Sequence, residues 1–281
     1  MTRESGAARQ DIGYAKINLA LHVRQRRADG YHELETLFVF AEDGDRLTAE
    51  PAETLSLTLS GPFAHELDGG ANNLVLRAAE ALRKAHGIEV GAALHLEKNL
   101  PVAAGLGGGS ADAAATIRLL ARLWNLGPDA LRPDTLAAKL GADVPACITS
   151  QSCFGAGVGD QLTPIDGTAL AGISILLVNP LRACPTGPVF KAWDGVDRGA
   201  LRAEDWMQGR NDLEAPAIAL VPAIAEVLAA LRACPEARLA RMSGSGATCF
   251  ALFDTESACA QAAATLKADY PSWWVMPSRL R

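Results

Sequence analysis

The stretch PVAAGLGGGSADAAA, residues 101–115, decides how this chain is read. Four glycines, Gly105, Gly107, Gly108 and Gly109, crowd between Pro101 and an alanine-rich helix expected from about Ala111 to Trp124. Glycine has no Cβ, so the backbone can approach a polyanion and adopt positive φ. Successive N–H groups can then face phosphate oxygens, and the helix behind adds its free N–H groups and the positive end of its dipole. Ser110 and Asp112 are expected in the first helical turn, Ser110 as a phosphate donor or Mg2+ ligand and Asp112 as a cap. A Walker A loop needs a lysine after its last glycine, and a dinucleotide fingerprint needs glycine where Ser110 stands, so the spacing excludes both.

Outward from the loop, strands and helices mix without the regular alternation of a doubly wound sheet, which favours an α+β fold with two domains. Lys16 to Val23 alternates in period two, the strand signal. Ile17, Leu19, Leu21 and Val23 fall on one face and Lys16, Asn18, Ala20 and His22 on the other. Ala28-Asp29-Gly30 reads as a turn and Leu34 to Phe40 as a second strand. Leu55 to Leu59 and Ala92 to Leu96 give two more, separated by a helix capped by Asn72 or Asn73. A helix from about Asp134 is expected to end with Gly141 as its C-terminal glycine. Gly155 to Pro164 reads as a boundary, giving domains 1–164 and 165–281. Beyond it the expected elements are strand Ile173–Val178, helix Pro216–Leu231 with Pro222 at its start or at a kink, strand Arg238–Met242, a tight loop Ser243–Gly246, strand Ala247–Phe253, helix Ser257–Leu266 and strand Trp274–Met276.

Composition sets the limits. The chain has 281 residues, 49% hydrophobic and 21% charged, which supports packed cores and argues against disorder. A net charge of −6 argues against a nucleic-acid binder. The six cysteines form no Cys-x-x-Cys pair and read as reduced, mostly buried thiols of a cytoplasmic protein. The polar start, MTRESGAARQ, has no apolar signal core, and Ala169 to Val178 is too short to span a bilayer, so no membrane association is expected.

The loop resembles the ATP loop of the GHMP kinases, with Ala103 where the family often has Gly and Ala111 where it often has Ser. Further stretches agree in order: AKINL from Ala15, RADGYH from Arg27, GADVP from Gly141, NDL from Asn211 and SGSGA from Ser243. The likeness covers residues 15 to about 247 and is greatest to the branch acting on a cytidine-diphosphate-linked methylerythritol in non-mevalonate isoprenoid synthesis. It implies a ribosomal-protein-S5-like N-terminal domain with the nucleotide loop and a ferredoxin-like C-terminal domain completing the substrate cleft. It also implies transfer of the γ-phosphoryl group of ATP, with Mg2+, to the 2-hydroxyl of that substrate, and no obligate protein partner.

Carried onto matching positions, the resemblance makes Pro101, Val102, Ala103, Ala104, Gly105, Leu106, Gly107, Gly108, Gly109, Ser110 and Ala111 the ATP-binding residues. Asp143 becomes the catalytic base and Lys16 the second catalytic residue, with two roles open to Lys16: lowering the aspartate pKa or stabilising charge on the transferring group. Asn18 is implied as a substrate hydrogen-bonder, Tyr31 and His32 as the cytosine site, and Phe190 and Thr186 as a second ring and a polar contact. SGSG at 243–246 would close over the reacting region. Two rivals remain: a sister kinase for homoserine or mevalonate, and an inactive relative serving as a ligand sensor.

Overall fold

The computed structural model describes residues 9–131 and 136–281. The expected helix start at Asp134 and the polar residues before Arg9 lie outside them. The chain gathers into two compact units, neither a continuous segment. One takes the chain up to Ala15, Asp43–Val102 and Gly108–Thr149; the other takes Lys16–Glu42, Ala103–Gly107 and Ser150–Arg281. Two long strands, β1 (Arg9–Arg26) and β2 (His32–Ala52), contribute to both.

In the first unit, β2 pairs antiparallel with β4 (Gly91–Glu97), from Arg46 opposite Glu97 to Ala52 opposite Gly91. β3 (Ser56–Ser60) lies parallel to β4, and the crossover between them holds α1 (Leu74–Ala85). Asn73 caps α1, its side-chain oxygen accepting from the Val75 N–H at 2.9 Å. Val75, Ala78, Ala79 and Leu82 form the buried stripe of α1, and the helix packs along α2 (Gly108–Leu123). Alanines 111, 113, 114 and 115 leave α2 without bulk on its buried side, which suits close helix packing. Two short helices follow, α3 (Ala138–Leu140) and α4 (Val144–Thr149). Gly141 does follow a helix, but at φ 163° its backbone is extended rather than left-handed, so it is no left-handed cap.

In the second unit, the first half of β2 pairs with β5 (Cys153–Ala156), which forms a hairpin with β6 (Gln161–Pro164). The glycines of the stretch 155–164 serve that hairpin: Gly157 and Gly159 turn the chain at φ 68° and 94°. A separate antiparallel sheet has the order β10 (Trp274–Arg279), β7 (Ser174–Asn179), β9 (Cys249–Phe253), β8 (Ala237–Met242). Between β7 and β8 come α5 (Thr186–Lys191), α6 (Glu214–Leu220) and α7 (Ala223–Arg232). The helix expected as one piece from Pro216 is thus two, divided at Pro222, which lacks the N–H an interior turn requires. α8 (Glu256–Asp269) is capped by Thr255. Ile224, Val227, Leu228 and Leu231 of α7 and Cys259, Ala262 and Leu266 of α8 close over Leu176, Val178, Ala251 and Phe253 of the sheet.

None of the six cysteines is joined in a disulfide. Among the described residues no helix is long and apolar enough to cross a membrane.

Candidate functional site

The glycine loop is built by backbone packing against a second glycine loop. Gly105 has φ 77°, and a Cβ there would lie 2.5 Å from the Ser243 carbonyl and 2.8 Å from that of Gly246. A side chain at 105 is excluded twice over, by conformation and by space. Ser243 holds the contact: its hydroxyl donates to the Gly105 carbonyl at 3.0 Å and accepts the Asn18 N–H at 3.1 Å. The Thr248 N–H donates to the Ala104 carbonyl at 3.1 Å. Asn211 explains its own motif, since its side-chain nitrogen donates to the carbonyls of Met242 and Gly244, both at 2.8 Å.

Gly107, at φ 62°, ends the loop, and α2 starts at Gly108, earlier than the expected Ala111. Ser110 is consequently the third helical residue, half-buried and beside Gly141, where an added Cβ would lie 3.7 Å from its hydroxyl. Ala103 adopts φ 51°, the left-handed region that favours glycine.

Asp112 is not a cap. It lies in the second turn, buried, with Oδ2 accepting from the Lys98 ammonium at 2.7 Å. Lys98 also donates to Asp45 Oδ2 at 2.6 Å, and the other Asp45 oxygen accepts the N–H groups of Asn99 and Leu100 at 2.6 and 2.8 Å. Burial pushes the Asp112 carboxyl up to about 8, against the pull of Lys98 and with the repulsion of Asp45. Burial also opposes the Lys98 charge, but the two aspartates outweigh it and leave its pKa raised. The cluster packs against the start of α2: a Cβ at Gly108 would meet the Lys98 ammonium at 3.1 Å.

Lys16 is not a solvated strand lysine, because both faces of this part of β1 are covered and Lys16 is 4% exposed. Its N–H donates to the Leu106 carbonyl at 3.0 Å, and its ammonium sits 4.1 Å from the centre of the Phe38 ring, a cation–π contact. Its stem fills the space a side chain at Gly107 would need, with Cε 2.9 Å from an added Cβ. Asn18 is buried as well; its amide nitrogen donates to Thr36 Oγ1 at 2.8 Å, and its oxygen faces Gly244.

Asp143 belongs to the other unit, half-buried and immediately before α4. Its carbonyl accepts the Cys147 N–H at 3.1 Å, so it opens the helix, with Pro145 in the tolerated first turn. The far end of α4 is gripped by Arg118, which donates to the Cys147 and Ile148 carbonyls at 2.7 and 3.3 Å and to Asp11 at 2.6 Å.

Tyr31, His32, Thr186 and Phe190, singled out from distant parts of the sequence, line one cavity of about 530 Å³ together with Arg26, Leu34, Val158 and Lys191. That volume suits a nucleoside-sized ligand. Tyr31 is 65% exposed, held by the turn before it: Asp29 accepts the Tyr31 N–H at 3.1 Å, and Gly30 has φ 88°. His32 is buried, its ring centre 5.1 Å from Phe190 and 5.8 Å from Trp193. Burial, and then the Arg26 charge, hold its pKa down, so the ring is neutral near pH 7. Thr186 shares a 2.9 Å hydrogen bond with Ser245 of the second glycine loop. Asn18 does not line this cavity. Sequence reasoning missed Arg26, Lys98 and Arg118, whose significance lies in partners distant along the chain.

The chain matches two family models, described as GHMP kinases N terminal domain over residues 73–151 and GHMP kinases C terminal over residues 196–272. It is 56% identical to the 4-diphosphocytidyl-2-C-methyl-D-erythritol kinase of Rhizorhabdus wittichii, over 96% of this chain and 94% of that one. It is 54% identical to the kinase of the same description from Novosphingobium aromaticivorans, over 97% and 93%. A crystal structure of 4-(cytidine 5′-diphospho)-2C-methyl-D-erythritol kinase is similar with a TM-score of 0.83 at 35% identity, covering 96% of this chain and 98% of that one. A homoserine kinase structure from Cytophaga hutchinsonii, at 16% identity and TM-score 0.71, shares the fold.

Proposed function

This chain belongs to the GHMP kinase family, and we propose that it phosphorylates the 2-hydroxyl of 4-diphosphocytidyl-2-C-methyl-D-erythritol. It is an ATP-dependent phosphotransferase with an alcohol as acceptor. The observation that carries the substrate assignment is the shared cavity of Tyr31, His32, Thr186 and Phe190, which offers two rings and a neutral imidazole to a planar base.

The nucleotide phosphates rest on the loop from Pro101 to Ala111. Its fit to phosphate rests on positive φ at Gly105 and Gly107, the absence of side chains, and the unpaired N–H groups opening the 16-residue helix α2. Lys16, fixed by Leu106, Phe38 and Gly107, supplies a cation to the transferring group. Asp143 orients the acceptor hydroxyl and takes its proton as the new oxygen–phosphorus bond forms. The bond from that phosphorus to the β-phosphate oxygen breaks, and ADP leaves. Mg2+ would neutralise charge on the phosphates, with the Ser110 hydroxyl as the side chain offered to it. Residues 1–164 would serve as the nucleotide and catalytic domain, and 165–281 would supply Thr186 and Phe190. Six cysteines outside any disulfide fit a cytoplasmic enzyme.

The test is ADP release with Mg-ATP and three alcohols in parallel: the cytidylylated methylerythritol, homoserine and mevalonate. Turnover is expected only with the first, and Asp143→Asn should lower it by about 10²–10⁴ while substrate affinity holds. Turnover with another alcohol would refute the substrate assignment. Equal loss of binding and turnover in Asp143→Asn would refute the base.

A further inference from the structure

Arg26 stands in a run with Arg24 and Arg27, but its surroundings differ. Arg24 pairs with Glu35 and Asp197, and Arg27 with Asp29 and Glu33. Arg26 turns instead to neutral acceptors on two different elements. Its Nε donates to His32 Nε2 at 3.2 Å, at the start of β2. Its Nη2 donates to the Lys191 carbonyl at 3.2 Å and the Trp193 carbonyl at 3.5 Å. Lys191 is the last residue of α5, the short helix that carries Phe190, and a last-turn carbonyl has no partner within its own helix.

We propose that Arg26 is a positioning residue of the cytidine cavity, tying His32 to the end of the helix that bears Phe190 and fixing the tautomer of the imidazole. The proposal rests on the reading of that cavity as the base site. Guanidinium has donors and no acceptor. A ring nitrogen receiving its N–H must present a lone pair, so Nε2 is unprotonated and the neutral ring carries its proton on Nδ1. His32 therefore meets the ligand as a defined donor instead of a mixture of tautomers. The same guanidinium sets the spacing between imidazole and Phe190, which lie 5.1 Å apart. Arg26 is itself exposed and lines the cavity, so its loss bears on the cavity more than on folding.

The experiment titrates cytidine 5′-diphosphate and, separately, ATP into the full chain and into Arg26→Met, Arg26→Gln and Phe190→Ala. Arg26→Met should bind the cytidine probe ~10-fold more weakly with ATP affinity unchanged, the loss expected for one charge-assisted hydrogen bond. Arg26→Gln keeps a neutral donor and should recover affinity to within ~3-fold of the parent. The imidazole nitrogen NMR signals of His32 should report an Nδ1-protonated ring in the parent and a tautomer mixture in Arg26→Met. Equal losses in the Met and Gln variants would overturn the proposal, because charge alone would then matter. Unchanged affinity in Arg26→Met with weakened binding in Phe190→Ala would overturn the role of Arg26 and spare the base site. Unchanged affinity in both would remove the base site and the proposal with it.

Discussion

The cluster around Lys98 and the cavity around His32 each set a cation among polar partners, and they are built to opposite ends. Lys98, Asp45 and Asp112 are sealed, at 1%, 0% and 3% exposure, and the ammonium is held by both carboxylates. The cavity keeps its polarity within reach of a ligand, with Tyr31 65% exposed and Arg26 engaged only by neutral acceptors in the contacts described. A sealed ion group does little except define geometry, because separating its members leaves an uncompensated buried charge. An open group of rings and donors spends nothing on the protein's own stability and remains available for binding. Chemistry alone therefore does not mark a site; accessibility of that chemistry does.

Three substitutions probe this contrast. The largest effect is expected at Lys98. Lys98→Met leaves two buried carboxylates side by side and should lower the unfolding free energy by ~3–5 kcal/mol, measured by urea denaturation. A loss below ~1 kcal/mol would mean that the cluster contributes no more than an exposed pair. Tyr31→Ala should do the reverse. Its stability should move by less than ~0.5 kcal/mol, while affinity for the cytidine substrate, measured by titration, falls by ~1–3 kcal/mol and that for ATP stays. An equal loss for both nucleotides would count against stacking at Tyr31. The smallest effect is at Ala103. Left-handed backbone costs an alanine ~1–2 kcal/mol, and glycine returns ~0.4–1 kcal/mol of unfolded-state entropy. Ala103→Gly should gain about 0.5–1 kcal/mol in the midpoint analysis, and a loss would mean that its methyl makes a contact worth more than the strain.

Much of the fold was legible wherever periodicity or a cap spoke locally. Alternation marked β1 and β3, and Asn72 or Asn73 marked α1, whereas the helix expected across Pro222 proved to be two. The hairpin of β5 and β6 escaped because its strands are four residues each, too short for a period to register. Helix α2 was expected three residues late, since Gly108 and Gly109 are poor helix formers whose place in the first turn is set by Lys98 and Leu74 behind them. At the site, Tyr31 and His32 could be named because they recur in a resembling motif, as could Phe190 and Thr186. Lys98 could not, because nothing in the string EKNLP says that this lysine is buried. Arg26 could not be told from Arg24 and Arg27 until their partners were seen.

The interleaving of the two units has a consequence for synthesis. A ribosome releases the first unit's segments in full once Thr149 has emerged. Residues 16–42 of the second unit emerge early, but Leu21 takes its backbone partners from Arg210 and Asp212. The apolar side chains of Leu21 and Val23, whose core partners begin at Leu176, must wait uncovered for most of translation, the situation in which nascent strands aggregate or recruit chaperones. Cutting a gene for this protein at its middle would accordingly free no self-sufficient half: the downstream fragment would lack the strands that its own unit borrows from the amino terminus.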